Sequence, residues 1–170
     1  MNLKFETINF KIIENIAIIR LNRPNSYNSL NAKMAKELLE ISYECDTNKK
    51  IRAIILTGEG DKAFCAGGDL KSFHETGNVA KHLKMVTHDL HGAITKFSRM
   101  NSPLIVAVNG VAAGAGLSFV GFADLAIATS SATFVSAYTK AGLTPDGSSS
   151  YYLPRIIAVS YTHLTLPTKA

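Results

Sequence analysis

Apolar residues in this chain fall into short unbroken runs separated by polar turns. Ile16–Leu21 (IAIIRL) and Ile51–Thr57 (IRAIILT) are rich in β-branched residues, and each stops at turn chemistry, NRPN at 22–25 and GEGD at 58–61. Between them the period changes. Over Asn31–Cys45, Met34, Leu38, Ile41 and Cys45 recur at helical spacing with Lys and Glu opposite, and Asn31 stands where an N-cap belongs. Val79–Met100 repeats the helical pattern, with Leu83, Val86, Leu90, Ile94 and Phe97 on one stripe. Ser102-Pro103 ends that helix and Leu104–Val108 follows as a third strand. Strands separated by helices of this length predict an α/β layer structure with parallel pairing. No repeat of 20–50 residues stands out by identity.

The stretch Leu104–Ala128 is long enough for a membrane span and carries one charge, Asp124. Gly110, Gly114, Gly116, Gly121 and Asn109 interrupt it. It reads better as a buried strand, a Gly-rich turn, a short apolar helix and a second buried strand.

Composition narrows the class. The 170 residues are 46% hydrophobic and 18% charged, which excludes a disordered or collagen-like chain. Eighteen Lys+Arg against 13 Asp+Glu leave a net charge of +5, and its sources are scattered. The densest cluster, Lys49, Lys50 and Arg52, has no interleaved aromatics, so a nucleic-acid partner is not expected. A lysine excess does suit a small anionic ligand, such as a nucleotide-bearing cofactor. Cys45 and Cys65 show neither metal spacing nor a disulfide framework, and Met1–Phe10 lacks the apolar core of a signal peptide. The expectation is a cytoplasmic protein with no membrane partner.

Two Gly-rich loops carry the candidate chemistry: KAFCAGGDLK at 62–71 and NGVAAGAGLS at 109–118. Each follows a strand and leads towards a helix. Small residues let a ligand approach the backbone, and a helix start offers unpaired N–H groups to developing negative charge. Two such loops converging on one point would form an oxyanion hole. The same glycines would also serve close helix–sheet packing, and the pattern alone does not separate the two uses. Neither loop is a phosphate-binding P-loop, because no Gly-Lys-Ser/Thr follows.

Four motifs in order, LNRP at 21–24, KAFCAGGDLK at 62–71, SPLIVAVNGVAAGAGLS at 102–118 and AGLTPDGSSSYYLPR at 141–155, resemble the crotonase superfamily of enoyl-CoA hydratases and isomerases. They span nearly all of Asn22–Ala158. The resemblance implies an α/β chain with the crotonase-like ββα superhelix (the ClpP/crotonase fold) that binds acyl-CoA thioesters. CoA would be part of the substrate, with no separate cofactor, and the full-length protein would be a homo-oligomer, a trimer or hexamer. It also implies an oxyanion hole made by the N–H groups of Gly68 and Ala115. Substrate or CoA contacts are implied at Asn25, Tyr27, Lys62, Ala66, Asp69, Leu70, Lys71, Gly114, Tyr138 and Pro145. Read locally, Asp69 is instead a cap for a helix beginning near Leu70, and Cys65 is a small buried residue rather than a nucleophile.

The departures from that family point to the chemistry. Its hydratases hold water with two glutamates; at those positions this chain has Ser118 and Tyr138, neither a carboxylate base near neutral pH. Asp146, in LTPDG at 143–147, is a β-turn residue by local sequence. The resemblance makes it the catalytic acid–base, since enoyl-CoA isomerases, including the ring-epoxide isomerases of phenylacetate breakdown, place a single acidic residue there. Burial in the acyl pocket is expected to raise its pKa. The expected function is an acyl-CoA isomerase that shifts a double bond or isomerises a ring epoxide. The alternatives are a hydratase with an atypical base and a non-catalytic CoA-binding fragment. His88 and His91 sit i, i+3 on a predicted helix with His82 nearby, but no carboxylate or thiolate completes a ligand set, and no metal is expected.

The tail is different in kind. Val159–Ala170 (VSYTHLTLPTKA) lacks helical periodicity and matches nothing in the family. It is similar to the conceptual translation of a transposase adapter used in sequencing libraries. The expected organisation is a C-terminally truncated, incomplete acyl-CoA-binding core over 1–158, followed by an adapter-derived tail over 159–170.

Overall fold

Residues 4–74 and 76–157, which the computed structural model describes, contain two sheets joined by repeated crossovers. The expected adapter-derived tail, 159–170, lies outside the described residues. The larger sheet runs β1 (Ile8–Ile13), β2 (Ile16–Leu21), β3 (Ala53–Gly58), β5 (Leu104–Val108) and β7 (Leu125–Ala128), in that spatial order. The smaller sheet runs β4 (Ala63–Cys65), β6 (Val111–Ala113) and β8 (Thr133–Val135). Helices α1 (Ala32–Thr47), α2 (Leu70–His74), α3 (Val79–Phe97), α4 (Ala115–Phe122) and α5 (Ser149–Ile157) fill the connections. The chain therefore winds through three ββα turns: β3–β4 with α2 and α3, β5–β6 with α4, and β7–β8 with α5. No identity repeat marks these turns because they differ in length, the first being far the longest.

The pairing is parallel throughout except at its start, where β1 and β2 form an antiparallel hairpin. The strands expected from the sequence, β2, β3 and β5, pair in parallel as expected, and β1 is an addition to them. The hairpin turn places Glu14 at φ 48 and Asn15 at φ 68, a conformation usually signalled by Asn-Gly. Without that glycine the sequence pattern leaves β1 unannounced.

The helices follow the apolar stripes. Asn31 caps α1 by accepting from the Met34 N–H at 2.9 Å, and Met34, Leu38, Ile41 and Cys45 are all buried. Asn78 caps α3 in the same way through the Lys81 N–H at 3.0 Å. Val86, Leu90, Ile94 and Phe97 of α3 are buried, each contributing about 1.5–3 kcal/mol relative to exposure. Glu37 on α1 is a buried carboxylate that accepts from the backbone N–H of Glu6 (2.9 Å) and Thr7 (3.0 Å) and from the Thr7 hydroxyl, tying the first described residues to the helix.

The long apolar stretch divides into β5, α4 and β7 as expected, with a further short strand, β6, in the segment read as a Gly-rich turn, and among the described residues no helix is long and apolar enough to cross a membrane. One part of that expectation fails. β7 is exposed along its whole length, with Leu125 54% and Ile127 58% accessible. It is the outer strand of its sheet, and among the described residues nothing packs over it.

Candidate active site

The two Gly-rich loops meet. After β4, Leu30 and Gly68 form an isolated parallel bridge in which the Leu30 N–H donates to Gly67 O (2.7 Å) and the Asp69 N–H to Leu30 O (2.9 Å). Because the bridge uses Gly67 O and the Asp69 N–H, the N–H of Gly68 itself faces away from Leu30, and Gly68 lines a cavity. After β6, Gly114 (φ +50) starts α4, whose first N–H groups, beginning with Ala115, have no partner within the helix. Gly67 joins the loops. It has φ +96, and a β-carbon there would lie 3.0 Å from Ala113 O and 3.5 Å from Ala115 N. A β-carbon on Gly116 would collide with the Cys65 carbonyl, so these glycines serve both close packing and backbone presentation.

The cavity has a volume of about 270 Å³. Its walls are mostly apolar: Leu70 and Phe73 of α2, Leu83, Val86 and Leu90 of α3, and Ala137, Ala141 and Leu143 of the segment before α5. Ala66, Gly68, Gly114, Ala115, Tyr138 and Asp146 also line it. Asp146 is its one acidic residue among the described residues. Asn25, Tyr27, Lys62, Lys71 and Pro145 are instead exposed outside the lining. Asp69 also lies outside it: its carboxylate accepts from Arg23 Nη2 at 2.7 Å and caps α2 through the Ser72 N–H at 3.1 Å. The local reading of Asp69 as a cap is the one its contacts support.

Asp146 departs from expectation in its surroundings. Its side chain is 36% accessible rather than buried, and Oδ1 lies 2.8 Å from Nε2 of His91 on α3. In the sequence pattern His91 stands out only beside His88 and His82, a group that completes no metal-ligand set. A separation of 55 positions leaves no local signal, and only the docking of α3 against the 137–146 segment joins them.

Ser118 and Tyr138 also meet at this wall. The Tyr138 hydroxyl is 3.1 Å from Ser118 Oγ, and Ser118 Oγ is 2.9 Å from the Asp146 carbonyl. Burial pushes the Tyr138 pKa up to about 12, with the Asp146 charge acting the same way and the Ser118 hydrogen bond only partly opposing, so the phenol stays protonated at neutral pH. Burial likewise pushes the Cys65 thiol up to about 12 despite the Gly67 N–H directed at it, leaving no thiolate nucleophile in the loop.

Known proteins share this arrangement of loops and strands. The family model described as enoyl-CoA hydratase/isomerase matches residues 11–167. The chain is 36% identical over 146 residues to 4-chlorobenzoyl coenzyme A dehalogenase-2 of Arthrobacter sp, covering 85% of this chain and 52% of that protein. It is 37% identical over 143 residues to the 1,2-epoxyphenylacetyl-CoA isomerase of Escherichia coli (strain K12), covering 83% and 54%. The crystal structure of an enoyl-CoA hydratase from Bacillus anthracis superposes with a TM-score of 0.87 at 28% identity, over 97% of this chain and 64% of the other. The chain thus spans about half the length of the curated relatives it matches. With the ββα turns, the paired Gly-rich loops and the family match over most of its length, the chain has the crotonase fold and belongs to the enoyl-CoA hydratase/isomerase family.

Proposed function

We propose that the protein is an acyl-CoA isomerase with Asp146 as its acid–base. The observation that carries this reading is a single carboxylate on the wall of a cavity that also presents the Gly68 and Ala115 backbone. The two N–H groups hold the thioester oxygen. Asp146 takes a proton from the α- or γ-carbon of the acyl chain, the negative charge passes to the thioester oxygen, and the carboxyl returns the proton to the other carbon. The enolate gains more from the two donors than the ground-state carbonyl does, which is what lowers the barrier. Proton transfer of this kind contributes about 10²–10⁴-fold. A second carboxylate is not needed, in keeping with a hydroxyl at Ser118 and a protonated phenol at Tyr138. The apolar walls suit a hydrocarbon acyl group, linear or ring-bearing. Conversion of a 3-enoyl-CoA to its 2-enoyl isomer by the protein, lost in Asp146→Asn, is the expected result; wild-type turnover in that variant would remove Asp146 from the mechanism. Water addition to a 2-enoyl-CoA would favour the hydratase reading, and CoA binding without turnover the non-catalytic one.

The His91–Asp146 pair favours a second reading, displacement at an aryl carbon, the reaction class named for the Arthrobacter relatives. Asp146 attacks the halogen-bearing carbon of an aryl-CoA, and the halide leaves with the bonding pair. His91 then takes a proton from water, whose oxygen attacks the resulting ester carbonyl; the aryloxide leaves with the C–O bonding pair and takes that proton back from His91, and the carboxyl group loses its own proton to solvent. Halide release from 4-chlorobenzoyl-CoA separates this reading from the first.

A further inference from the structure

We propose that Ser118 is a positioning residue, latching the turn that carries Asp146 onto the helix that supplies the Ala115 donor. The proposal rests on the assignment of Asp146 as the reacting carboxylate.

Counting protons fixes the direction of the hydrogen bonds. Ser118 Oγ has one proton and three neighbours: the Asp146 carbonyl at 2.9 Å, the Gly114 carbonyl at 3.3 Å and the Tyr138 hydroxyl at 3.1 Å. Carbonyls only accept, so the serine proton goes to the nearer one, that of Asp146. The Tyr138 hydroxyl, kept protonated by burial, then donates into the serine oxygen. The chain of donors runs from Tyr138 through Ser118 to the Asp146 backbone. Ser118 is 1% accessible, so water does not compete for any of these bonds.

Packing restrains the same turn. Gly147 has φ +61, and a β-carbon there would lie 2.9 Å from both Cβ and Oγ of Ser118. The turn therefore rests directly on the serine, and the backbone N–H of Ser149 makes a second bond to the Asp146 carbonyl at 3.2 Å. Ser118 stands three residues after Ala115 in α4, less than one helical turn, with a rise of about 4.5 Å. Both the oxyanion donor and the acid–base are thereby referenced to one rigid helix. His91 engages the carboxylate oxygen Oδ1, so Ser118 is the side chain that holds the Asp146 backbone, beside the Ser149 N–H.

The test compares Ser118→Ala with wild type, using kcat and KM on a 3-enoyl-CoA together with the His91 imidazole signals in ¹H–¹⁵N spectra. Removing one hydroxyl from a small side chain leaves the core volume nearly intact, and a matched thermal midpoint checks folding. The expected result is a drop of about tenfold in kcat, KM within about twofold, and displaced His91 signals, because a loosened turn changes the contact with His91. Tyr138→Phe, which removes only the outer donor, gives the same changes at smaller size. Unchanged kcat, or His91 signals that stay in place, overturns the proposal. If the wild-type protein does not turn over this substrate, the isomerase reading falls, and the His91 signals alone decide the latch.

Discussion

Arg23 Nη2 lies 2.7 Å from Asp69 Oδ2, joining the turn after β2 to the residue that follows Gly68. The same guanidinium donates to the Ser29 carbonyl at 2.6 Å, so one side chain braces both strands of the Leu30–Gly68 bridge. Burial alone pushes the Asp69 carboxyl up, but the Arg23 hydrogen bond, the Ser72 N–H and the Arg23 charge outweigh it and hold the pKa below the usual carboxylate value. That lowered pKa contributes stability in full above the unfolded value, about pH 4, and loses it as pH falls through the folded value. Asp69→Asn is expected to cost about 1–3 kcal/mol at pH 7. The gap between variant and wild-type urea midpoints should narrow from pH 5 to pH 2.5.

Gly67 should tolerate no side chain. Its φ of +96 is one that L-residues adopt only under strain of about 1–3 kcal/mol, and the added methyl would press on the Ala113 carbonyl. Because Gly67 sets the approach of the two Gly-rich loops, on the proposed mechanism Gly67→Ala should lower kcat by about 10²-fold, on the scale of losing one oxyanion donor. A thermal melt run beside the kinetics separates this loss from unfolding.

Glu37 provides a test of the N-terminal packing. Glu37→Ala strands the buried Thr7 N–H and hydroxyl and removes the acceptor of the part-buried Glu6 N–H, at a cost of about 2–4 kcal/mol. Glu37→Gln keeps one acceptor oxygen and should lose less. Chemical denaturation of the two variants orders them.

Both thiols should be silent in the native protein. Burial pushes Cys45 up to about 12, with the Glu44 charge adding to it, and burial does the same to Cys65. Ellman's reagent at pH 8 should titrate no thiol until denaturant is added, then two.

The sequence makes the parts with local causes legible. Asn31 caps α1 because an Asx side chain three residues before the Met34 N–H reaches it unaided. The two loops are readable from their glycines because only glycine allows the approach that Gly67 and Gly116 require. Parts assembled across the chain are not legible in this way. His91 meets Asp146, and Arg23 meets Asp69, only after the sheets have stacked their connections on one side. The exposed face of β7 escapes the pattern for the opposite reason: LAIA reads as interior wherever it stands, and hydropathy records the preference of a strand rather than its neighbours.

The first ββα turn differs from the others in a way that bears on how substrate preference can change. β3 and β5 pair directly, Ile54 with Leu104 and Leu56 with Val106, although α2 and α3 intervene between them in sequence. The ladder needs only the ends of that excursion, whereas the cavity takes Leu70, Phe73, Leu83, Val86 and Leu90 from its interior. Leu70 and Leu83 are the more peripheral of the five, whereas Val86 and Leu90 are core residues and Phe73 packs on Gly68, so substitutions at Leu70 and Leu83 can reshape the cavity with least effect on the strands and on Gly68. The cavity wall and the sheet ladder thus draw largely on separate stretches of chain, so that on the proposed function a library at Leu70 and Leu83 is the natural route to altered acyl preference.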